Sequence, residues 1–289
     1  MNILPWIYAA RIKTLVASVV PVISSSIILP QITPVNIRLL SLTLIAAIII
    51  QVVTNYINDL YDFLKGADNN RIGPARMLQS GKISEKQMKR AIFILFMVGI
   101  VVGIPLAIKG GWIIVIIGLS AFLFAYLYTA GPFALAYNGL GDVFVFIYFG
   151  LIAVSGSYYL QTEQVSMGCI YLGISIGCKN VLLLLVNNIR DYKSDLKCSK
   201  NTLIVKHGLF FGKAYAITTL LTSYVVMFFL STSLSNNSVF YMALVSIPLS
   251  INIIVDILYK EPKHLGSVLG KVVSLLALDC ALLYIGQLL

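Results

Sequence analysis

Two short stretches in an otherwise apolar chain carry side chains able to hold a cation: Asn55-Tyr-Ile-Asn58-Asp59-Leu-Tyr-Asp62 and Asn187-Asn188-Ile-Arg190-Asp191-Tyr-Lys-Ser-Asp195. The 289 residues include only eleven Asp and Glu, and Asp59, Asp62, Asp191 and Asp195 fall in these two places. On a helix, Asn55, Asp59 and Asp62 stand at i, i+4 and i+7, and Asn187, Asp191 and Asp195 at i, i+4 and i+8. Each set therefore projects from one face. Two opposed carboxylate faces repel each other unless a divalent cation lies between them. Oxygen donors of this kind suit Mg²⁺, which completes its shell with water and substrate phosphate oxygens. The chemistry is capture of a diphosphate through metal.

Each cluster opens a basic loop, at about 63–89 and about 192–211. Lys65, Arg71 and Arg76 in the first loop, and Arg190, Lys193, Lys197 and Lys200 at the second, offer cations to a phosphate held by metal. Arginine can grip it through two donors. Gly66, Gly73 and Gly81 permit turns in the first loop, and Pro74 stiffens one.

The elements that must position these residues are membrane helices. The chain is 59% hydrophobic and 11% charged, whereas ordinary domains carry about 25% charged residues. Runs of roughly 20 apolar residues span a bilayer. Nine such runs are expected, near 14–30, 37–57, 91–108, 112–129, 140–160, 166–187, 212–232, 238–258 and 268–288. The first follows Arg11 and Lys13, lacks an A-x-A site and is expected to remain as a span. The fold class is thus all-α and polytopic.

The net charge of +10 does not point to nucleic acid, because its distribution follows topology. With the N-terminus in the cytoplasm, the inner loops hold eighteen Lys and Arg, the outer loops only Arg38 and Lys109, and one span holds Lys179. The positive-inside rule therefore places the N-terminus and both acidic clusters at the cytoplasmic face, in the bacterial inner membrane. Cys169, Cys178, Cys198 and Cys280 show no C-x-x-C spacing and are expected to pack without a disulfide. The two histidines, His207 and His264, give little basis for a zinc or haem site. The pattern of apolar span, Asn-x-x-x-Asp and basic loop recurs 132 residues apart, from Asn55 to Asn187. Residues 1–289 thus read as a single domain, with spans one to four repeated as five to eight and a ninth left over. Membrane-protein repeats commonly place the site at their interface. Nothing in the sequence calls for an obligate protein partner.

The paired motifs resemble those of the UbiA superfamily of intramembrane aromatic prenyltransferases. Within it, the chain looks most like the branch that prenylates 1,4-dihydroxy-2-naphthoate in menaquinone synthesis. The matching stretches are Ala10-Arg-Ile-Lys-Thr-Leu15, Asn58 to Asp68, Arg71-Ile-Gly-Pro-Ala-Arg76 with Gln79-Ser-Gly81, and Tyr128-Thr-Ala-Gly-Pro132. Leu135 to Asp142, Tyr158-Tyr-Leu-Gln-Thr162 and Asn187-Asn-Ile-Arg-Asp191 continue the match in the expected order.

The resemblance implies nine helices around a central cavity, capped on the cytoplasmic side by the two loops. It implies transfer of a polyprenyl group from polyprenyl diphosphate, bound with Mg²⁺, to 1,4-dihydroxy-2-naphthoate, with loss of CO₂ and diphosphate. It assigns Asn55, Asp59, Asp62, Asp68, Asn187, Asp191 and Asp195 to the metal–diphosphate complex, and Lys65, Arg71, Arg190 and Lys200 to the diphosphate. Asp59, Asp62, Asp191 and Asp195 are the expected catalytic set. Tyr128 joins them if its ring faces the allylic cation; the alternative is a tyrosine of the interfacial belt. Asp142 either orients the acceptor or interacts with a helix dipole.

Two departures stand out. Ile12 occupies the place of the family's usual proline between Arg11 and Lys13. Lys179 lies deep in span six, where a charge requires water or a partner such as Asp279 or Glu163. Other acceptors remain open at this stage: 4-hydroxybenzoate, homogentisate or haem. A transporter is a reading of a different class, with Lys179 as its support. A CDP-alcohol phosphotransferase is disfavoured because the acids are split between two distant helices.

Overall fold

The computed structural model describes residues 3–30, 33–66, 73, 75–198 and 200–289. Asp68 and Arg71 lie outside the described residues. The described secondary structure is helical throughout, as a lipid-embedded chain requires when every backbone group must be satisfied within its own segment. α1 (Leu4–Ala10), carried on to Thr14 by a 3-10 turn, is bent by 50° against α2 (Val16–Ile27). Arg11 sits at the joint in the left-handed region, at φ 51°. α3 (Ile37–Leu64) begins at Asn36, whose side chain caps Leu39 N.

α4 (Glu85–Leu127) opens with a capping box in which Ser84 and Gln87 satisfy each other's backbone N–H. Its 43 residues would make a rod of roughly 65 Å, twice a bilayer's hydrocarbon core. The chain instead breaks at Gly111, φ 66° and ψ −159°, a conformation open to glycine. Phe96 and Phe122, on opposite sides of the break, meet edge-on at 4.9 Å, so the two halves of α4 fold back on each other. The runs expected at 91–108 and 112–129 lie on either side of this reversal.

α5 (Gly141–Phe146), a π-helical stretch (Ile147–Ile152) and α6 (Ala153–Thr162) form one 22-residue segment. α7 (Met167–Lys197) and α8 (Leu203–Ser233) follow, capped by Ser166 and Thr202, with α8 kinked at Gly208. α9 (Asn237–Leu244) and α10 (Ile247–Tyr259) are bent by 44°, and α11 (Gly266–Leu288) ends the chain.

Among the described residues, six helices are long and apolar enough to cross a membrane, and up to eight spans result if each bent pair counts as one. The count of nine expected from the sequence depends on treating the halves of α4 as separate crossings. Several boundaries also differ from those expected. α3 and α7 continue past their apolar runs to Leu64 and Lys197, because their polar ends find partners at the site. The run near 238–258 is interrupted at Val245 and Ser246, just before Pro248 in the first turn of α10, where a missing N–H is tolerated.

α7 is the central helix. In its apolar window 78% of residues are buried, against 11% in that of α4, so α7 is wrapped by protein while α4 faces lipid. Leu182, Leu185 and Ile189 of α7 pack with Ile204 and Leu220 of α8 and Ile253 of α10. The π-helical stretch lies backbone to backbone on α7. A Cβ on Gly150 would come within 2.5 Å of Gly173 O and 2.6 Å of Gly177 Cα. Small residues permit such approaches between membrane helices.

Lys179 is buried in this interior and pairs with Asp279 of α11 at 2.6 Å. Its Nζ also reaches Ser175 Oγ at 3.3 Å and sits over the Tyr224 ring at 5.5 Å. Glu163, the other acid considered for it, pairs with Lys109 at the opposite end of the bundle from the acidic clusters.

Candidate functional site

The C-terminal ends of α3, α4 and α7, the start of α5 and the turns before α2 and α8 converge on a polar pocket of about 140 Å³. Asp62, Asn58, Asn187, Asn188, Asp191 and Asp142 supply oxygens to its wall, and Arg11, Arg76 and Lys200 supply cations. Beneath it lies a cavity of about 460 Å³, lined almost wholly by apolar and small residues of α2, α3, α4 and the α5–α6 segment. Asn58 and Tyr128 line both spaces, so the two meet at these side chains.

Helix geometry makes the pocket possible. α3 brings Asn55, Asn58, Asp59 and Asp62 to its last turns, and loop residues then return over them. Asp62 accepts hydrogen bonds from Arg76 at 2.7 Å and from the Tyr137 hydroxyl at 2.8 Å. Both oxygens of the carboxylate are thereby aimed. Asp59, only 1% exposed, accepts from Met77 N at 3.2 Å through Oδ2, while its buried Oδ1 has no partner among the described residues. Asn55 donates to Ala10 O at 2.8 Å and Thr14 Oγ1 at 3.2 Å, tying α3 to the α1–α2 joint beside the apolar cavity.

On α7, Asp191 accepts two hydrogen bonds from Arg190, both at 2.7 Å. Asn187 donates to Leu183 O, one turn earlier, and its side chain lines the pocket. Asp195 pairs with Lys200 at 3.6 Å and keeps a buried Oδ2 without a partner among the described residues. Lys65 donates to Thr129 O at 2.7 Å and lies 4.3 Å over the Tyr137 ring, with Lys200 at 5.8 Å from the same ring. Desolvation pushes the Lys65 ammonium's pKa down, and the Asp62 carboxylate pulls it partly back.

The residues expected from the sequence thus divide. Asp62, Asn187, Asp191, Lys200, Tyr128 and Asp142 line the polar pocket. Asn55 lines the apolar cavity. Asp59, Asp195, Lys65 and Arg190 line neither space, and Arg190, expected at the diphosphate, is committed to Asp191 instead. Sequence reasoning gave no site role to Asn188, Thr129 or Tyr137. Their signal was weak: Thr129 and Tyr137 sit in recognised stretches as ordinary membrane-protein residues. Thr129 donates to Asn58 Oδ1 at 2.9 Å and so orients the asparagine at the junction. Arg11, read only as part of the N-terminal motif, reaches the pocket wall from its left-handed backbone.

Among the described residues, no three Asp, Glu, His or Cys side chains are grouped closely enough to hold a metal ion by themselves. The donor set nevertheless fits Mg²⁺. The pocket offers the carboxylates of Asp62 and Asp191 and several amide oxygens, with orphaned carboxylate oxygens on Asp59 and Asp195 beside it. Mg²⁺ binds through one or two carboxylates plus water and substrate phosphate.

The fold and these adjoining spaces define a polytopic helical membrane protein in which a polar pocket abuts an apolar cavity. The UbiA prenyltransferase family model matches residues 18–274, and the chain belongs to that family. The chain is 35% identical to a 1,4-dihydroxy-2-naphthoate octaprenyltransferase of Haemophilus influenzae over 219 residues, 73% of this chain and 71% of that protein. It is 32% identical to the Mycobacterium leprae protein of the same name, over 70% of this chain and 69% of the other. The solved structure of a UbiA homologue from Archaeoglobus fulgidus, bound to GPP and Mg²⁺, superposes with a TM-score of 0.66. That match covers 96% of this chain and 99% of the homologue at 14% identity, and so supports the fold.

Proposed function

We infer that this chain transfers a polyprenyl group from polyprenyl diphosphate to 1,4-dihydroxy-2-naphthoate, with loss of CO₂ and diphosphate, giving demethylmenaquinone. The observation that carries the reaction class is the junction at Asn58 and Tyr128, two residues that line both the polar pocket and the apolar cavity. A prenyl diphosphate threaded through it places its diphosphate among Arg11, Arg76 and Lys200, and its allylic carbon beside the Tyr128 ring. The acceptor assignment comes from the relatives' named activity.

Asp62, Asp191, Asn58 and Asn187 are the residues we assign to hold Mg²⁺, with Asp59, Asp195 and Asn55 supporting from around them; Asp68, outside the described residues, is assigned to the same complex on the family resemblance alone. When bound, the metal supplies positive charge to the departing diphosphate. Arg76 and Tyr137 fix the Asp62 carboxylate, and Arg190 fixes that of Asp191, so the ligands are oriented before substrate arrives. Lys200 adds charge where the leaving group develops it, and Arg71, outside the described residues, is assigned to the diphosphate on the family resemblance alone. Lys65 ties the end of α3 to the backbone of Thr129, a residue that lines the pocket. The apolar wall excludes water that would otherwise quench the allylic cation, and the Tyr128 ring face offers it stabilisation.

We place the site at the cytoplasmic face of the bacterial inner membrane, because the basic loops gather at this end, and treat residues 1–289 as one catalytic unit. The transport reading loses its support, since Lys179 is neutralised by Asp279 and lines neither space.

The test is a membrane assay with Mg²⁺, polyprenyl diphosphate and 1,4-dihydroxy-2-naphthoate, read by mass spectrometry. Demethylmenaquinone should form, and Asp62→Ala, Asp191→Ala or EDTA should each abolish it. Prenylation of a different ring would overturn the acceptor, and activity that survives both substitutions would overturn the site.

A further inference from the structure

Three carboxylates line the polar pocket among the described residues, and one of them is left over. Asp62 is held by Arg76 and Tyr137, and Asp191 by Arg190. Asp142 is 3% exposed, and its buried Oδ1 makes no hydrogen bond among the described residues. Burying an acceptor without a donor is costly, and such a group calls for a ligand, a water or an ion.

The position of Asp142 favours a particular ligand. It stands on the first turn of α5, and Phe144 and Val145 of the same helix line the apolar cavity. The helix therefore crosses from one space to the other just past Asp142. Gly141 lets the Tyr128 hydroxyl approach this turn: a Cβ there would lie 3.1 Å from it. Asp142 is thus beside the boundary at which a prenyl chain passes from head to tail. Asp62 and Asp191, by contrast, project from α3 and α7.

An aromatic acceptor must bring a ring carbon to this boundary while its polar edge faces the pocket wall. We propose that Asp142 is the acceptor-positioning residue, its carboxylate accepting a hydrogen bond from a ring hydroxyl of the aromatic substrate. The bond satisfies the orphaned oxygen and turns the ring toward the allylic carbon. It also leaves more electron density on the ring that must attack. The proposal rests on the prenyltransferase reading above and deepens it, because it demands a hydroxylated ring and assigns what holds the hydroxyl.

The test uses the full-length protein in detergent with farnesyl diphosphate and 1,4-dihydroxy-2-naphthoate, and with the acceptor's two monomethyl ethers. Asp142→Ala should lower kcat/KM for the acceptor about ten- to hundredfold, the range for losing a hydrogen bond to a charged group. Binding of farnesyl thiodiphosphate and the Mg²⁺ requirement should stay within about twofold of the parent. One of the two ethers should weaken the parent by a similar factor and weaken Asp142→Ala no further. Asp142→Asn keeps the shape of the side chain and should repeat the pattern with a smaller loss, which covers failure of the alanine variant to fold. Losses that multiply for both ethers would overturn the assignment, as would a parallel shift in donor binding or Mg²⁺ requirement. No product from the parent with this acceptor would overturn the acceptor reading and this proposal with it.

Discussion

Lys179 and Asp279 offer the most demanding test of the reasoning, because the pair lies inside the bundle and away from the chemistry. The charges are 2.6 Å apart, with side chains 3% and 11% exposed. At an effective dielectric of ~20 their attraction is about 6 kcal/mol, but removing two ions from water consumes several kcal/mol for each. The net worth of the pair against two apolar residues is therefore close to zero. Loss of one partner is different. Asp279→Leu leaves the ammonium with Ser175 at 3.3 Å and the Tyr224 ring at 5.5 Å, neither of which replaces a carboxylate. Breaking a buried pair costs about 3–5 kcal/mol. At roughly 2–4 °C per kcal/mol for large domains, each single variant should melt roughly 6–20 °C lower. Melting of purified protein in one detergent, followed by intrinsic fluorescence or size exclusion, measures this. Lys179→Leu and Asp279→Leu should each fall by that amount, and the double variant should return to within about 1 kcal/mol of the parent. The double variant should also retain prenyl transfer. Single variants that melt like the parent, or a double variant as unstable as the singles, would refute the claim that the pair is a mutually dependent unit.

Three further outcomes follow from particular contacts. Arg190→Gln removes the fork that orients Asp191, and should lower Mg²⁺ affinity or activity about 10–100-fold in a metal titration of prenyl transfer, with folding preserved. Gly150→Ala puts a methyl group 2.5 Å from the Gly173 carbonyl oxygen, against backbone that cannot rotate away. It should destabilise by at least about 1–3 kcal/mol, read as a lower melting temperature. Gly103 lines the apolar cavity, and a methyl group placed on it would meet nothing within 4 Å. Gly103→Leu should fold normally while occupying space needed by the tail, raising KM for a long polyprenyl diphosphate about 5–150-fold in steady-state assays.

Much of the architecture was legible because lipid imposes simple rules. Apolar runs of bilayer length had to be helices, and the basic residues between them marked one end of the bundle as different from the other. Asn55, Asp59 and Asp62, like Asn187, Asp191 and Asp195, could be placed on single helix faces because side-chain direction on a helix follows from spacing alone. The sequence also singled out Lys179 as needing a partner, since an isolated charge at that depth has no solvent to compensate it. Spacing could not say which acid would meet it, because Asp279 is a hundred residues away in the chain.

Only the tertiary structure decided how the polar residues share the work. Helical periodicity treats Asp59 and Asp62 alike, yet the loop that folds back puts Met77 N on one and Arg76 on the other. Arg190 looked free to meet a diphosphate, but its neighbour Asp191 is near enough to claim it. The reversal at Gly111, the joint at Arg11 and the meeting of two cavities at Asn58 and Tyr128 depend on contacts between distant segments. The chain's own residues determined that it would span a membrane and carry paired acidic faces, because burial and periodicity are local. Which of those acids line a pocket, and which one there lacks a partner among the described residues, was settled by packing, because that is a property of several helices at once.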